Sequence, residues 1–201
     1  MLFIDTVPVA DAKGQVRDMY ARQQQRWGYV PNYALAFCHR PELMGLWANL
    51  LAGIRRTIAP RTFELATLAA AHELRNTACS LAHGQALTTF FSDDEVCAIA
   101  NGDYTCLTEA EAAMVRLARK VAADAAAVTQ ADIDAMRSHG FGEGEIFDVV
   151  ITAAARAFFT KVLDGVGVQA DAQMSGMSAM LRETMAVGRP MAVRPSEALA
   201  D

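Results

Sequence analysis

Helix start and stop signals recur so densely along this chain that little room is left for any other kind of structure. Ser92-Asp93-Asp94-Glu95 and Thr108-Glu109-Ala110-Glu111 are capping boxes, in which a hydroxyl and a glutamate three residues on satisfy each other's free backbone N–H groups. The first predicts a short helix that stops before Gly102, the second a longer one through about Ala125. Pro60 stands where a first helical turn tolerates proline, ahead of a helix from Arg61 to Leu74. Asn76 is an N-cap for a helix from Thr77 to Phe91, and Thr129 caps one that ends at Gly140. Further helices are expected over Asp11 to Trp27, Tyr33 to Cys38, Pro41 to about Arg56, Gly144 to Leu163 and Ala170 to Met185. In Gly144 to Leu163, the residues Ile146, Phe147, Val150, Ala154, Ala157, Phe158 and Val162 form a broad apolar face. No segment alternates with strand period, and Tyr104 to Leu107 is too short to count. The predicted fold class is all-α, a multi-helix bundle forming one domain over residues 1–187. The tail over 188–201, with Pro190 and Pro195, is expected to be loose or to dock on a neighbouring subunit.

Hydrophobic residues make up 53% of the chain, enough for a sizeable core. Amphipathic helices gain most of their stability from packing, so the apolar excess points to a homo-oligomer: a dimer, trimer or hexamer. A net charge of −5 with no long basic run argues against nucleic acid as a partner. Arg55-Arg56 reads as a solvated helix end. No apolar run reaches membrane-spanning length without a charge, so no membrane partner is expected. The N-terminus contains Asp5 and lacks a basic signal-like region, so the expected location is cytoplasmic, where thiols stay reduced.

The reactive groups concentrate in one place. Cys79 and His83 lie four residues apart, which puts a thiol and an imidazole on one helix face. Cys79 falls in the first turn, where free backbone N–H groups favour a negative sulfur. His83 is then a base for the thiol or an ion-pair partner of the thiolate. Glu64, one helix earlier across the short link at Arg75-Asn76, is placed to orient the imidazole or relay a proton. The competing reading makes Cys79 a small core residue and Asn76 only a cap. His72, eight residues after Glu64, is a second-tier candidate on a neighbouring part of the helix surface. Cys38 reads as core, with His39 beside it at the surface or a helix end, and His139 suits a helix end. Trp27, Tyr29, Phe37 and Trp47 either roof an apolar pocket or fill the core. Met174, Met177, Met180 and Met185 read as packing or a subunit interface. Cys, His and Glu at this spacing are poor evidence for zinc, so neither metal nor cofactor is expected.

The stretch from Arg61 to Ala86 resembles the core signature of the alkylhydroperoxidase AhpD / carboxymuconolactone decarboxylase superfamily. That signature is a Glu, eleven intervening residues, Cys-x-x-Cys and a His four beyond the second Cys; Glu64, Cys79 and His83 match it here. Pro31-Asn32, Pro41-Glu42 and Glu145-Ile146-Phe147-Asp148-Val149 resemble the longer peroxidase-related branch, so the likeness covers about residues 28–165. The first motif cysteine is replaced by Asn76. The resemblance implies a second cysteine that attacks peroxide and becomes a sulfenic acid, and a first cysteine that resolves it. With Asn76 in place, no disulfide forms within the motif. The expected activity is therefore that of a thiol-dependent hydroperoxide reductase with Cys79 as its single peroxidatic cysteine. It would be recycled by an external thiol reductant, or by Cys38, Cys97 or Cys106. The decarboxylase branch implies an alternative: a cofactor-free lyase or isomerase on a small carboxylated substrate. There His83 and Glu64 would move the proton and Asn76 would hold an oxyanion. A non-catalytic homologue is the third expectation.

Overall fold

The computed structural model describes residues 2–192. Ten α-helices follow one another: α1 (Gly14–Trp27), α2 (Asn32–Ala36), α3 (Pro41–Ile54), α4 (Pro60–Glu73), α5 (Thr77–Leu87), α6 (Asp93–Ala100), α7 (Glu109–Asp124), α8 (Gln130–Ser138), α9 (Glu143–Gly165) and α10 (Ala179–Met185). Four short 3-10 turns interrupt them, and no strand occurs among the described residues. The fold is all-α.

Helix α4 is the centre of the bundle, touching α5, α7 and α9. Its residues Phe63 to Ala71 are all buried, as expected of a helix enclosed on every side. Two apolar clusters meet along it. One joins Leu65, Leu68, Leu81, Met114 and Val149; the other joins Met19, Trp47, Phe63, Cys79 and Phe159. Both capping boxes are present. Glu111, at the second, also pairs with Arg61 at 2.6 Å and so ties α7 to α4.

The link from α4 to α5 sets the geometry of the site. Arg75 adopts a left-handed conformation, with φ of +56°, and the Asn76 N–H closes back on the Ala71 carbonyl at 3.0 Å. This turn folds α5 antiparallel against α4. Asn76 then caps α5, its Oδ1 accepting the Cys79 N–H at 2.8 Å.

Helix α1 starts at Gly14 rather than Asp11, α2 gives way to a 3-10 turn at Phe37, and two boundaries differ by more. Helix α5 ends at Leu87, short of Phe91, because 3-10-type bonds from Thr88, Thr89 and Phe90 tighten its last turn. The helix expected from Ala170 to Met185 is broken: Ala172–Gly176 forms a 3-10 turn, Met177 is extended, and the Ser178 hydroxyl caps α10 by accepting the Leu181 N–H. A local cap here outcompetes helix propagation.

The first residues of the tail lie on their own chain. The Gly188 N–H donates to Thr77 Oγ1 at 2.9 Å, Arg189 Nη2 donates to the Asp164 carbonyl at 3.0 Å, and the Ala192 N–H donates to the Ala170 carbonyl at 2.9 Å. The rest of the 188–201 tail lies outside the described residues. A Cβ at Gly188 would fall on the Arg75 carbonyl oxygen. Gly188→Ala is therefore expected to peel residues 186–192 from the α4–α5 link at a cost of about 1–3 kcal/mol. Thermal unfolding checks the loss of stability, and hydrogen exchange at Gly188 and Ala192 checks where it arises.

Candidate active site

The antiparallel packing of α4 and α5 brings Glu64 and His83 together. Glu64 Oε2 lies 2.6 Å from His83 Nδ1, and Glu64 Oε1 accepts from Arg55 Nη2 at 2.8 Å. Arg55 sits at the C-terminal end of α3 with its guanidinium 4.3 Å from the Phe63 ring centroid. Burial pushes the Glu64 carboxyl up, but the His83 hydrogen bond and the charges of His83, Arg55 and Arg156 outweigh it, so the group is held below its ordinary value. Burial, aided by the charge of Arg156, pushes His83 down against the pull of Glu64. The resting pair is thus a carboxylate and a neutral imidazole. Nδ1–H donates to Glu64, and the Nε2 lone pair remains a base.

Both shifts bear on acid stability. The folded His83 resists protonation while the unfolded chain binds that proton below about pH 6.5, so its contribution falls as pH drops through that value. Glu64 contributes above its unfolded value of about 4.5 and loses this as pH falls through its lower folded value. Both act in the same direction. The urea midpoint is expected to fall between about pH 7.5 and about pH 5.5, and His83→Gln to flatten that fall.

Cys79 is buried near the start of α5. Its sulfur takes a hydrogen bond from Arg156 Nη1 on α9, at 3.5 Å. Burial pushes the thiol up, and Arg156 opposes this by charge and hydrogen bond without fully cancelling it. No hydrogen bond joins His83 to Cys79 among the described residues: the imidazole turns across to α4, and a guanidinium is the partner of the sulfur. Arg156 still couples the groups, because its charge acts on Cys79, His83 and Glu64 alike. Asn76 has both ends engaged, Oδ1 with the Cys79 N–H and Nδ2 with Asp164 Oδ2 at 3.0 Å. Oδ1 thus serves as the α5 cap, and Nδ2 commits one of its two N–H groups to Asp164.

His72 is not brought to this cluster. Eight residues on from Glu64 it is rotated by about 80° around α4. It faces α10 instead, with Nε2 3.4 Å from the Thr184 carbonyl and Arg119 and Glu73 as its charged neighbours. All four cysteines are free. Cys38 Sγ accepts the Val7 N–H at 3.4 Å, while Cys97 and Cys106 belong to the other apolar cluster. Trp47 and Phe37 stack on Phe159, with centroids 4.8 and 5.9 Å away, whereas Trp27 is exposed and bonded to the Tyr33 hydroxyl. Arg156, Arg55 and Asp164 are the site residues that sequence reasoning missed. A signal existed for Arg156: it shares the buried stripe of α9 with Val149, Ala153, Thr160 and Leu163, where an arginine is out of place. Among the described residues no group of His, Cys, Asp or Glu is arranged to hold a metal ion, and no helix is long and apolar enough to cross a membrane.

No protein-family model and no curated protein matches the chain. Solved structures do, and they define the fold as that of the alkylhydroperoxidase AhpD core. The chain is similar to an AhpD-core, uncharacterized peroxidase-related protein from Ralstonia eutropha JMP134, at 19% identity and a TM-score of 0.75, over 94% of this chain and 98% of that one. A peroxidase-related protein from Silicibacter sp. TM1040 is similar at 19% identity and a TM-score of 0.76, over 88% of this chain and 95% of that one. The debrominase Bmp8, in a cysteine-to-alanine variant complexed with 2,3,4-tribromopyrrole, is similar at 17% identity and a TM-score of 0.69, over 90% of this chain and 94% of that one.

Proposed function

We propose that the chain is a thiol-dependent hydroperoxide reductase in which Cys79 alone meets the peroxide. The observation that carries this reading is a buried sulfur held by a buried guanidinium, with an imidazole on the next turn of the same helix backed by a carboxylate from α4. Arg156 stabilises the thiolate as it forms. The thiolate attacks the terminal peroxide oxygen, the S–O bond forms and the O–O bond breaks. The leaving alkoxide takes a proton and departs as alcohol. His83 Nε2 accepts the thiol proton through the bound hydroperoxide and returns it to the alkoxide, while Glu64 steadies the transient imidazolium. One external thiol then converts the sulfenic acid to a mixed disulfide with loss of water. A second releases the Cys79 thiol and an external disulfide. The fold shared with peroxidase-related proteins supports the reading.

The test is trapping. Reduced protein treated with a small excess of tert-butyl hydroperoxide and dimedone is expected to gain one dimedone adduct, located at Cys79 by peptide mass spectrometry. A Cys79 that stays unlabelled under excess peroxide rules the reading out.

A second reading draws on the neutral, carboxylate-backed imidazole and the upward push on the thiol. In a cofactor-free lyase or isomerase acting on a carboxylated substrate, His83 and Glu64 alone move the proton. Cys79→Ser would then keep most activity and His83→Ala would abolish it.

A further inference from the structure

We propose that the free edge of the Arg156 guanidinium is a seat for a carboxylate, so that the organic hydroperoxide taken by this site carries one acidic group on an apolar body. The reaction rests on the hydroperoxide-reductase reading, but the binding does not.

Arg156 is 5% exposed. Its guanidinium carbon lies 5.8 Å from the Trp47 ring centroid and 5.6 Å from that of Phe159. A cation removed from water in this way demands an anion, and no carboxylate lies within ion-pair distance of it among the described residues. The acidic groups whose charges reach the site are already engaged. Glu64 spends its two oxygens on His83 and Arg55, and Asp164 takes the Asn76 amide.

A guanidinium presents its donors along separate edges. Here Nη1 serves the Cys79 sulfur. Nε is buried with no partner, and no hydrogen bond engages Nη2 among the described residues. The Nε–H and one Nη2–H point the same way, at the spacing of two carboxylate oxygens. One edge thus holds the reacting sulfur while the adjacent edge is set for a bidentate anion. The aromatic rings beside it suit an apolar body. Hydrogen peroxide, small and neutral, would leave the buried Nε–H without a charged acceptor. Because the seat is covered in the free chain, an entering anion displaces the rings around it, and Trp47 reports the change.

The experiment uses reduced full-length protein without oxidant, with benzoate as probe and benzamide as its uncharged match. Benzoate is expected to change tryptophan fluorescence saturably. It is also expected to slow iodoacetamide alkylation of Cys79, read at its peptide, at least about fivefold once in about fivefold excess over its Kd. Benzamide is expected to do neither. Arg156→Lys keeps the charge but loses the fork, and is expected to weaken benzoate about tenfold or more. Equal binding of benzoate and benzamide, binding of neither, or undiminished benzoate binding by Arg156→Lys overturns the proposal. Should Arg156→Lys not fold, the benzoate–benzamide contrast in the wild-type protein decides. Dimedone labelling is scored separately. Sulfenic acid formation without carboxylate selectivity overturns the seat alone, and selective benzoate binding without sulfenic acid overturns the peroxidase reading alone.

Discussion

Cys79→Ser is expected to lower peroxide consumption by at least about 10³-fold, because no other group at the site offers a comparable nucleophile. Serine keeps a donor–acceptor atom near Arg156 Nη1, which bonds the sulfur at 3.5 Å, so the guanidinium is not abandoned. The position is buried beside the α5 cap, and a slightly smaller side chain there should cost only about 1 kcal/mol. Activity and stability are therefore expected to separate: turnover vanishes while the thermal midpoint moves by a few degrees. A coupled assay with an external thiol, run beside thermal unfolding, measures both. Residual turnover above about a tenth of wild type would remove the sulfur from the chemistry.

Glu64→Ala is expected to damage both properties. The carboxylate stands between Arg55 and His83, at 2.8 and 2.6 Å, and removing it leaves an imidazole and a guanidinium without their shared acceptor. The Arg55 guanidinium is half exposed and the imidazole neutral, so the loss is mainly that of the buried hydrogen bond to His83, about 1–3 kcal/mol, and a lowered urea midpoint is expected. The rate is expected to fall about 10²–10⁴-fold, the range for loss of a proton-transfer element. Glu64→Gln separates the effects. It preserves shape and one acceptor, so most of the stability should return while the rate stays low. If Glu64→Gln restored turnover to wild-type levels, the carboxylate would have no part in proton movement.

The features legible in the sequence were the local ones. The Ser92 and Thr108 capping boxes and the Asn76 cap each involve atoms within three residues, so spacing alone locates them. Glu64 and His83 meet because the short link between their helices, turned at Arg75, folds α5 back along α4. Arg156 reaches Cys79 across 77 residues of chain, and no spacing rule spans that distance. Its trace was a charged residue on an otherwise apolar stripe, which a reading confined to the hydrophobic positions of that helix passes over. His72 shows the opposite error: nearness in sequence suggested nearness in space, but helical rotation carried it to α10. The broken C-terminal helix marks a third limit, since a serine cap and an extended Met177 interrupt an apolar pattern that reads as continuous.

Asn76 occupies the position at which the family signature carries its first cysteine, and both ends of its amide are engaged in hydrogen bonds. On the hydroperoxide-reductase reading, an oxidised Cys79 would find no resolving sulfur within its own motif. Its lifetime would then depend on how quickly a foreign thiol arrives, and where that supply lagged a second peroxide encounter would carry the sulfur to the irreversible sulfinic state. A chain working in this way would spend itself under oxidant overload, so its surviving active fraction would record how far oxidant had outrun reductant.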